Sequence, residues 1–156
     1  MPAGNTLSEG SYAPDFALKD THGRTVKLSE LRGKKIILYF YPNDFTSGCT
    51  TEACEFRDEN PEIKKKGALV FGVSANDEKS HQEFSAKYNL NFPLLVDEGA
   101  YVAQKYGVWG EKNNYGKTSM GMLRTTFVID EKGKIVKVFR NVKAEGHAKE
   151  VLRALV

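Results

Sequence analysis

The sequence predicts an α/β domain built on a central mixed sheet flanked by helices. Two apolar runs, Lys34–Tyr41 and Ala68–Ser74, are almost unbroken, as strands covered on both faces are. A segment with apolar residues at helical spacing follows each run, and a hairpin and a last helix close the chain. With 156 residues, 40% of them hydrophobic, the chain is long enough for one domain over 1–156 that buries roughly two-thirds of its unfolded surface. No repeat or low-complexity tract divides it.

Taken in order, Phe16–Leu18 and Val26–Leu28 flank the turn residues Asp20-Thr21-His22-Gly23, which makes an extra N-terminal hairpin. Ser29–Gly33 is a short turn before the first long strand. Pro42–Gly48 is a loop of turn formers, and a helix follows from about Gly48. Its apolar positions Cys49, Ala53, Phe56 and Ile63 share one face, with Glu52, Glu55 and Asp58 toward its start and Lys64-Lys65-Lys66-Gly67 closing it. Pro61 either kinks this helix or opens a second one capped by Asn60. After the second long strand come a helix over Glu78–Tyr88, a short strand Phe92–Val96 and a short helix Ala100–Tyr106. Gly107–Gly121 reads as a long Gly-rich loop in which Trp109 packs the chain down. Thr125–Ile129 and Ile135–Phe139 form a hairpin, and Glu145–Leu155 a helix. That order fits a thioredoxin-like layout.

Composition excludes several function classes. Lys plus Arg (23) against Asp plus Glu (20) leaves +3, too mild and too evenly spread for a nucleic-acid surface. No apolar run is long enough to span a bilayer, and Met1–Pro14 lacks a basic-then-apolar signal pattern, so no membrane role and a cytoplasmic location are expected. Two Cys and the scattered His22, His81 and His147 do not make a zinc pattern, and no metal or cofactor is expected. The histidines read as solvated helix and turn residues. The cysteines are redox-active, catalytic or simply buried, and a structural disulfide is the weaker option without a secretory signal.

Cys49 falls where a buried strand has ended and a helix begins, and there free N–H groups and the helix dipole favour an anionic sulfur. Pro42 fixes the preceding loop and limits water, and Thr46 offers a hydroxyl to the sulfur or to a substrate oxygen. Cys54 lies five residues on, which in an intact helix separates the two Cα atoms by about 8.6 Å. A disulfide needs less than about 7 Å, so these thiols bridge only if the first helical turns unwind. Cys54 is otherwise a bystander on the helix flank. Thr50 and Thr51 are mediocre helix formers, consistent with an end that opens.

Pro42-Asn43-Asp44-Phe45-Thr46-Ser47-Gly48-Cys49 resembles the Pro-x-x-x-Thr-x-x-Cys motif of the peroxiredoxins. Thr50-Thr51-Glu52-Ala53-Cys54-Glu55-Phe56-Arg57-Asp58 is similar to their bacterioferritin-comigratory-protein, or peroxiredoxin Q, branch. Ala13-Pro14-Asp15-Phe16, Phe40-Tyr41-Pro42, Gly72-Val73-Ser74 and Arg124–Asp130 extend the likeness over nearly the whole chain. The resemblance implies a thiol peroxidase on a thioredoxin fold. Cys49 is then the peroxidatic cysteine, oxidised to a sulfenic acid by the peroxide substrate. Pro42 shields the pocket and Thr46 hydrogen-bonds the peroxide. Arg124 holds the thiolate and stabilises developing charge, and Glu52 orients Arg124. Cys54 is the resolving cysteine of an intramolecular disulfide that a thioredoxin-like reductant reopens.

Two other functions compete. A thiol–disulfide oxidoreductase of this fold ordinarily uses Cys-x-x-Cys, whereas four residues separate Cys49 from Cys54. A scaffold or chaperone has no need of Pro42, Thr46, Cys49 and Arg124 together. A monomer or weak homodimer is expected, since the last helix is followed by no C-terminal arm to swap. Arg57 is expected to pair with a nearby acid.

Overall fold

The computed structural model describes residues 7–114 and 116–155. Positions 1–6 and 156 of the expected domain, and position 115 of the expected loop, lie outside the described residues. The elements run β1 (Ala17–Asp20), β2 (Thr25–Lys27), β3 (Lys35–Phe40), α1 (Ser47–Lys65), β4 (Ala68–Ser74), α2 (Glu78–Lys87), β5 (Leu94–Val96), α3 (Tyr101–Lys105), β6 (Trp109–Asn114), β7 (Lys117–Met122), β8 (Thr125–Ile129), β9 (Ile135–Phe139) and α4 (His147–Ala154). Seven strands form one sheet in the order β2-β1-β5-β4-β3-β8-β9. The strands β3, β4 and β5 are parallel, while β1 and β8 pair antiparallel on either side. This is the expected mixed sheet, and the N-terminal hairpin extends it through β1 beside β5.

The centre of the sheet is β3, apolar on both faces because both are covered. Ile36, Leu38 and Phe40 point to one side with Phe71, Val73, Tyr106 and Phe127. Ile37 and Tyr39 point to the other, under Ala53 and Phe56 of α1, Phe84 of α2 and Val151 of α4. Tyr39 stacks on Phe56 with ring centroids 4.7 Å apart. Burial of a side chain such as Phe56 contributes roughly 1.5–3 kcal/mol. Gly72 makes room for this stack, since a Cβ there would lie 2.9 Å from both the Tyr39 ring and Leu94. Core packing thus fixes α1 against the middle of the sheet.

Helix α1 runs continuously through Pro61, so neither a break nor a second helix forms there. Proline has no N–H to return to the carbonyl four residues back, here Arg57. Asn91 fills the gap: its Nδ2 donates to the Arg57 carbonyl at 3.1 Å. Asn60 Nδ2 in turn donates to the Asn91 carbonyl at 3.0 Å. The segment after α2 therefore clamps the rear of α1 where its own ladder fails.

Two expectations are corrected. Most of Gly107–Gly121 is an antiparallel ribbon, β6 paired with β7 from Trp109↔Met122 to Asn114↔Lys117. It pairs with no other described strand and carries few apolar residues, so it lacks the alternation that reveals a half-buried hairpin. Trp109 does pack against the core. His81 and His147 are buried rather than solvated. His81 shares a helix face with Phe84 and Tyr88, and His147 with Val151 and Leu155, so both lie on the inward stripes of their helices.

Asn91→Ala is expected to destabilise the protein by about 1–2 kcal/mol in denaturant unfolding, because it strands the Arg57 carbonyl. In a Pro61→Ala background, where residue 61 regains its N–H, the loss should shrink to a few tenths of that. Equal losses in both backgrounds would contradict the clamp.

Candidate active site

The site begins where β3 leaves the sheet. The Tyr41 N–H still donates to the Val73 carbonyl, but Pro42 has no N–H and the ladder stops. The chain then turns through Asn43–Thr46. Phe45 sits in the left-handed region at φ 69°, with its ring edge-on to Phe84 at 5.1 Å. A strained residue survives only where neighbours over-determine it. Here they converge on buried Asp44. Tyr41 Oη donates to Oδ1 at 2.6 Å, Ser80 Oγ donates to Oδ2 at 2.7 Å, and His81 Nδ1 lies 2.7 Å from the same oxygen. His81 Nε2 is 2.9 Å from the Leu95 carbonyl, an acceptor only, so that nitrogen carries a hydrogen. The loop is bound to α2 and β5 by this network.

Thr46 caps α1. Its Oγ1 accepts from the Cys49 N–H at 3.4 Å and donates to the Asn43 carbonyl at 3.2 Å, while its carbonyl accepts from Thr50 N–H at 2.8 Å. Cys49 is the third residue of the helix, inside the turn whose N–H groups carry the positive end of the dipole. Its thiol is buried.

Arg124 reaches it from the junction of β7 and β8. Nη2 donates to Cys49 Sγ at 3.3 Å, and Nη1 donates to Glu52 Oε1 at 2.7 Å. Gly48 permits the approach, since a Cβ there would stand 3.1 Å from Nη2. Burial works against the charge on Arg124, yet Glu52 and Cys49 outweigh it and hold the guanidinium above its ordinary value. Glu52 is fully buried (0% exposed), and among the described residues no hydrogen-bond partner of Oε2 is found. Burial pushes its carboxyl up to about 7, against the pull of Arg124. It lies beyond the first turn of α1, so its place is explained by Arg124 rather than by the helix dipole.

Cys49, Thr46, Arg124 and Glu52 are thus joined by direct contacts. Pro42 stands half-buried at the root of the loop. Cys54 is not in this set. It is half-buried on an unbroken α1 with Cys49, and both are free thiols.

Three features of the surroundings were not foreseen. Asp44 and its partners were hidden because they meet only in three dimensions, although the apolar face around His81 was a usable signal. Gly48 carries no chemistry of its own. Lys112 of β6 stands near enough that burial and Arg124 draw its ammonium below the ordinary value while Cys49 opposes them. Among the described residues, no group of three or more His, Cys, Asp or Glu side chains is placed to hold a metal ion. No described helix is long and apolar enough to cross a membrane.

Residues 10–138 match the AhpC/TSA family. Peroxiredoxin Bcp of Bacillus subtilis is 47% identical over 150 residues, covering 96% of each chain. A bacterioferritin comigratory protein of Xanthomonas campestris, whose structure was described for its alkyl peroxide reduction activity, superposes with a TM-score of 0.89 at 39% identity, over 95% of this chain and 97% of that one. PrxQ of Xylella fastidiosa gives a TM-score of 0.91 at 35% identity, over 96% and 95%. The mixed sheet with its helices is the thioredoxin-like fold of those proteins, and the chain belongs to the AhpC/TSA family, in its Bcp/peroxiredoxin Q branch of thiol peroxidases.

Proposed function

We propose that this chain reduces hydrogen peroxide and organic hydroperoxides through Cys49, closes a Cys49–Cys54 disulfide, and is recycled in the cytoplasm by a thioredoxin-like reductant. The observation that carries the reading is the guanidinium of Arg124 at 3.3 Å from Cys49 Sγ, braced from behind by buried Glu52. An anionic sulfur at a helix N-terminus beside a cation is a nucleophile at neutral pH. It attacks the terminal peroxide oxygen, the S–O bond forms as the O–O bond breaks, and the departing alkoxide takes a proton to leave as alcohol or water. Arg124 faces the charge that moves onto the departing oxygen. The Thr46 hydroxyl, exposed at the mouth, receives the peroxide O–H, and Pro42 limits the water that reaches the sulfur. The protein acts as one domain over 1–156, as a monomer or weak homodimer.

The second step requires motion. The helical separation of about 8.6 Å between residues 49 and 54 exceeds disulfide reach, so the front of α1 unwinds before Cys54 attacks. The polar anchors to be released there are the Thr46 cap, the Arg124 pair and the Glu55 carboxylate that accepts from Gly146 N–H at 2.8 Å, together with the core contacts of Cys49 and Ala53.

One equivalent of hydrogen peroxide should remove both free thiols within seconds, with a mass loss of two hydrogens and no covalent dimer. Cys49→Ser should lower peroxide consumption by at least about a thousandfold. Cys54→Ser should stop at a singly oxidised Cys49. Turnover by Cys49→Ser, or normal thioredoxin-linked cycling by Cys54→Ser, would overturn the assignment of the cysteine concerned.

The Glu52 carboxyl supports a second test. Its folded value near 7 lies above the ordinary 4.5, so between those pH values the folded state holds a proton that the unfolded chain has released. Stability from this group is full below pH 4.5, falls as pH rises, and levels off above about 7. The span is about 3 kcal/mol. Glu52→Gln should lack this slope, so denaturant unfolding at pH 5 and pH 8 should show the variant gaining on the wild type. Parallel curves would mean that Glu52 is already ionised at pH 5.

A further inference from the structure

One buried carboxylate holds the loop that delivers Thr46 and Cys49. Of Asn43, Asp44, Phe45 and Thr46, only Asp44 is buried. Its side chain is 1% exposed, and the His81 side chain that faces it is 0% exposed. Phe45, next in the chain, keeps its left-handed φ of 69°, and Thr46 then caps α1 by accepting from the Cys49 N–H. The seat of Asp44 therefore sets where these two residues begin.

That seat is built on His81. Nε2 donates to the Leu95 carbonyl at 2.9 Å, which ties the ring to β5 from behind. Nδ1 shares one hydrogen with Asp44 Oδ2 at 2.7 Å. The imidazole is thus a rigid spacer between a strand of the central sheet and the loop. Ser80 Oγ, from the same helical turn, donates to the same Oδ2 at 2.7 Å, and Tyr41 Oη donates to Oδ1 at 2.6 Å. The main chain is held as well, since the Asp44 N–H donates to Asn76 Oδ1 at 3.0 Å. A carboxylate at this depth is costly without its donors, so it stays where they are.

We infer that His81 is a positioning residue for the attack on peroxide, acting through Asp44 on Thr46 and on the cap that keeps Cys49 in its place on α1. The inference rests on the peroxidatic role given to Cys49 above. Two consequences of the cap pass through Thr46. Its hydroxyl accepts from the Cys49 N–H, and its carbonyl accepts from the Thr50 N–H at 2.8 Å. A displacement of the loop therefore moves the hydroxyl offered to the peroxide and the helix turn that carries the sulfur together. A misplacement of about 1 Å, even one caused far from the reacting atoms, can cost about a hundredfold in rate.

The test divides the two jobs of the ring. The side-chain nitrogen of asparagine falls near the position of Nδ1, and that of glutamine near Nε2. His81→Asn thus keeps the donor to Asp44 and gives up the Leu95 bond, and His81→Gln does the reverse. In a Cys54→Ser background, which confines the reaction to one oxidation of Cys49, hydrogen peroxide should react at least about tenfold more slowly with His81→Gln. His81→Asn should recover most of that rate. Hydrogen exchange at the Cys49 and Thr50 amides should quicken in His81→Gln and stay near the parent in His81→Asn. A merely structural role lowers the unfolding midpoint of both variants and slows both alike. Equal rates, or the slower reaction in His81→Asn, overturn the inference. Should neither variant fold, Ser80→Ala decides, because it removes a donor to the same Oδ2 from a partly exposed position. Its oxidation should be about threefold slower, and an unchanged rate overturns the inference. If the parent does not react with peroxide at all, the peroxidatic reading of Cys49 falls instead, and exchange at the two amides still decides whether His81 sets the cap.

Discussion

Arg124 joins two elements that the core brings side by side, the junction leading into β8 and the first turns of α1, and it does so with one half-buried charge between two partners. Taken alone, its partial burial works against the charge. Glu52 on one side and the Cys49 sulfur on the other offset it, and both of these partners are themselves buried. Much of the local architecture follows. Gly48 is small because Nη2 passes over it. Thr46 caps the helix so that Cys49 stays in its third position.

This arrangement divides α1 into two parts with different duties. The rear half is held by the core and by external hydrogen bonds at Arg57 and Asn60, which substitute for what Pro61 removes. The front half shares the core through Cys49 and Ala53, and its polar anchors are a hydroxyl cap, the Arg124 contacts with Glu52 and Cys49, and one carboxylate. A proline inside a helix ordinarily weakens the helix where it stands. Here Asn91 replaces the bond that Pro61 removes, so the rear end keeps its anchorage in the opening proposed for the cysteine end.

The strands and helices were legible because each announces itself locally. The unbroken runs of β3 and β4, the stripe Cys49, Ala53, Phe56 and Ile63, and the spacing of Cys49 from Cys54 are all properties of short segments. The β6 and β7 ribbon was not legible, because a polar hairpin that pairs only with itself needs no hydrophobic period. His81 and His147 were misjudged for another reason. Residue type suggested solvent, while their position on apolar stripes placed them inside, where Asp44, Leu95, Thr126 and Glu150 supply polar partners. For Arg124 the motif named the residue, but its contact with both Cys49 and Glu52 depends on strand order, which no local pattern contains.

The hydrogen bonds around Asp44 have a consequence for the timing of the catalytic cycle. They tie the loop before α1 to α2 and β5 and involve no residue of α1. A helix that unwinds from Cys49 therefore does so on a post that stays planted, and the loose thread spans only the few residues between Thr46 and the firm half of α1. The entropy of finding the way back grows with the length of the loose segment, so a short tether keeps it small. If α1 opens as proposed, each round of oxidation and reduction is a local rewinding from a preserved starting point, with no need to reassemble the loop before the helix.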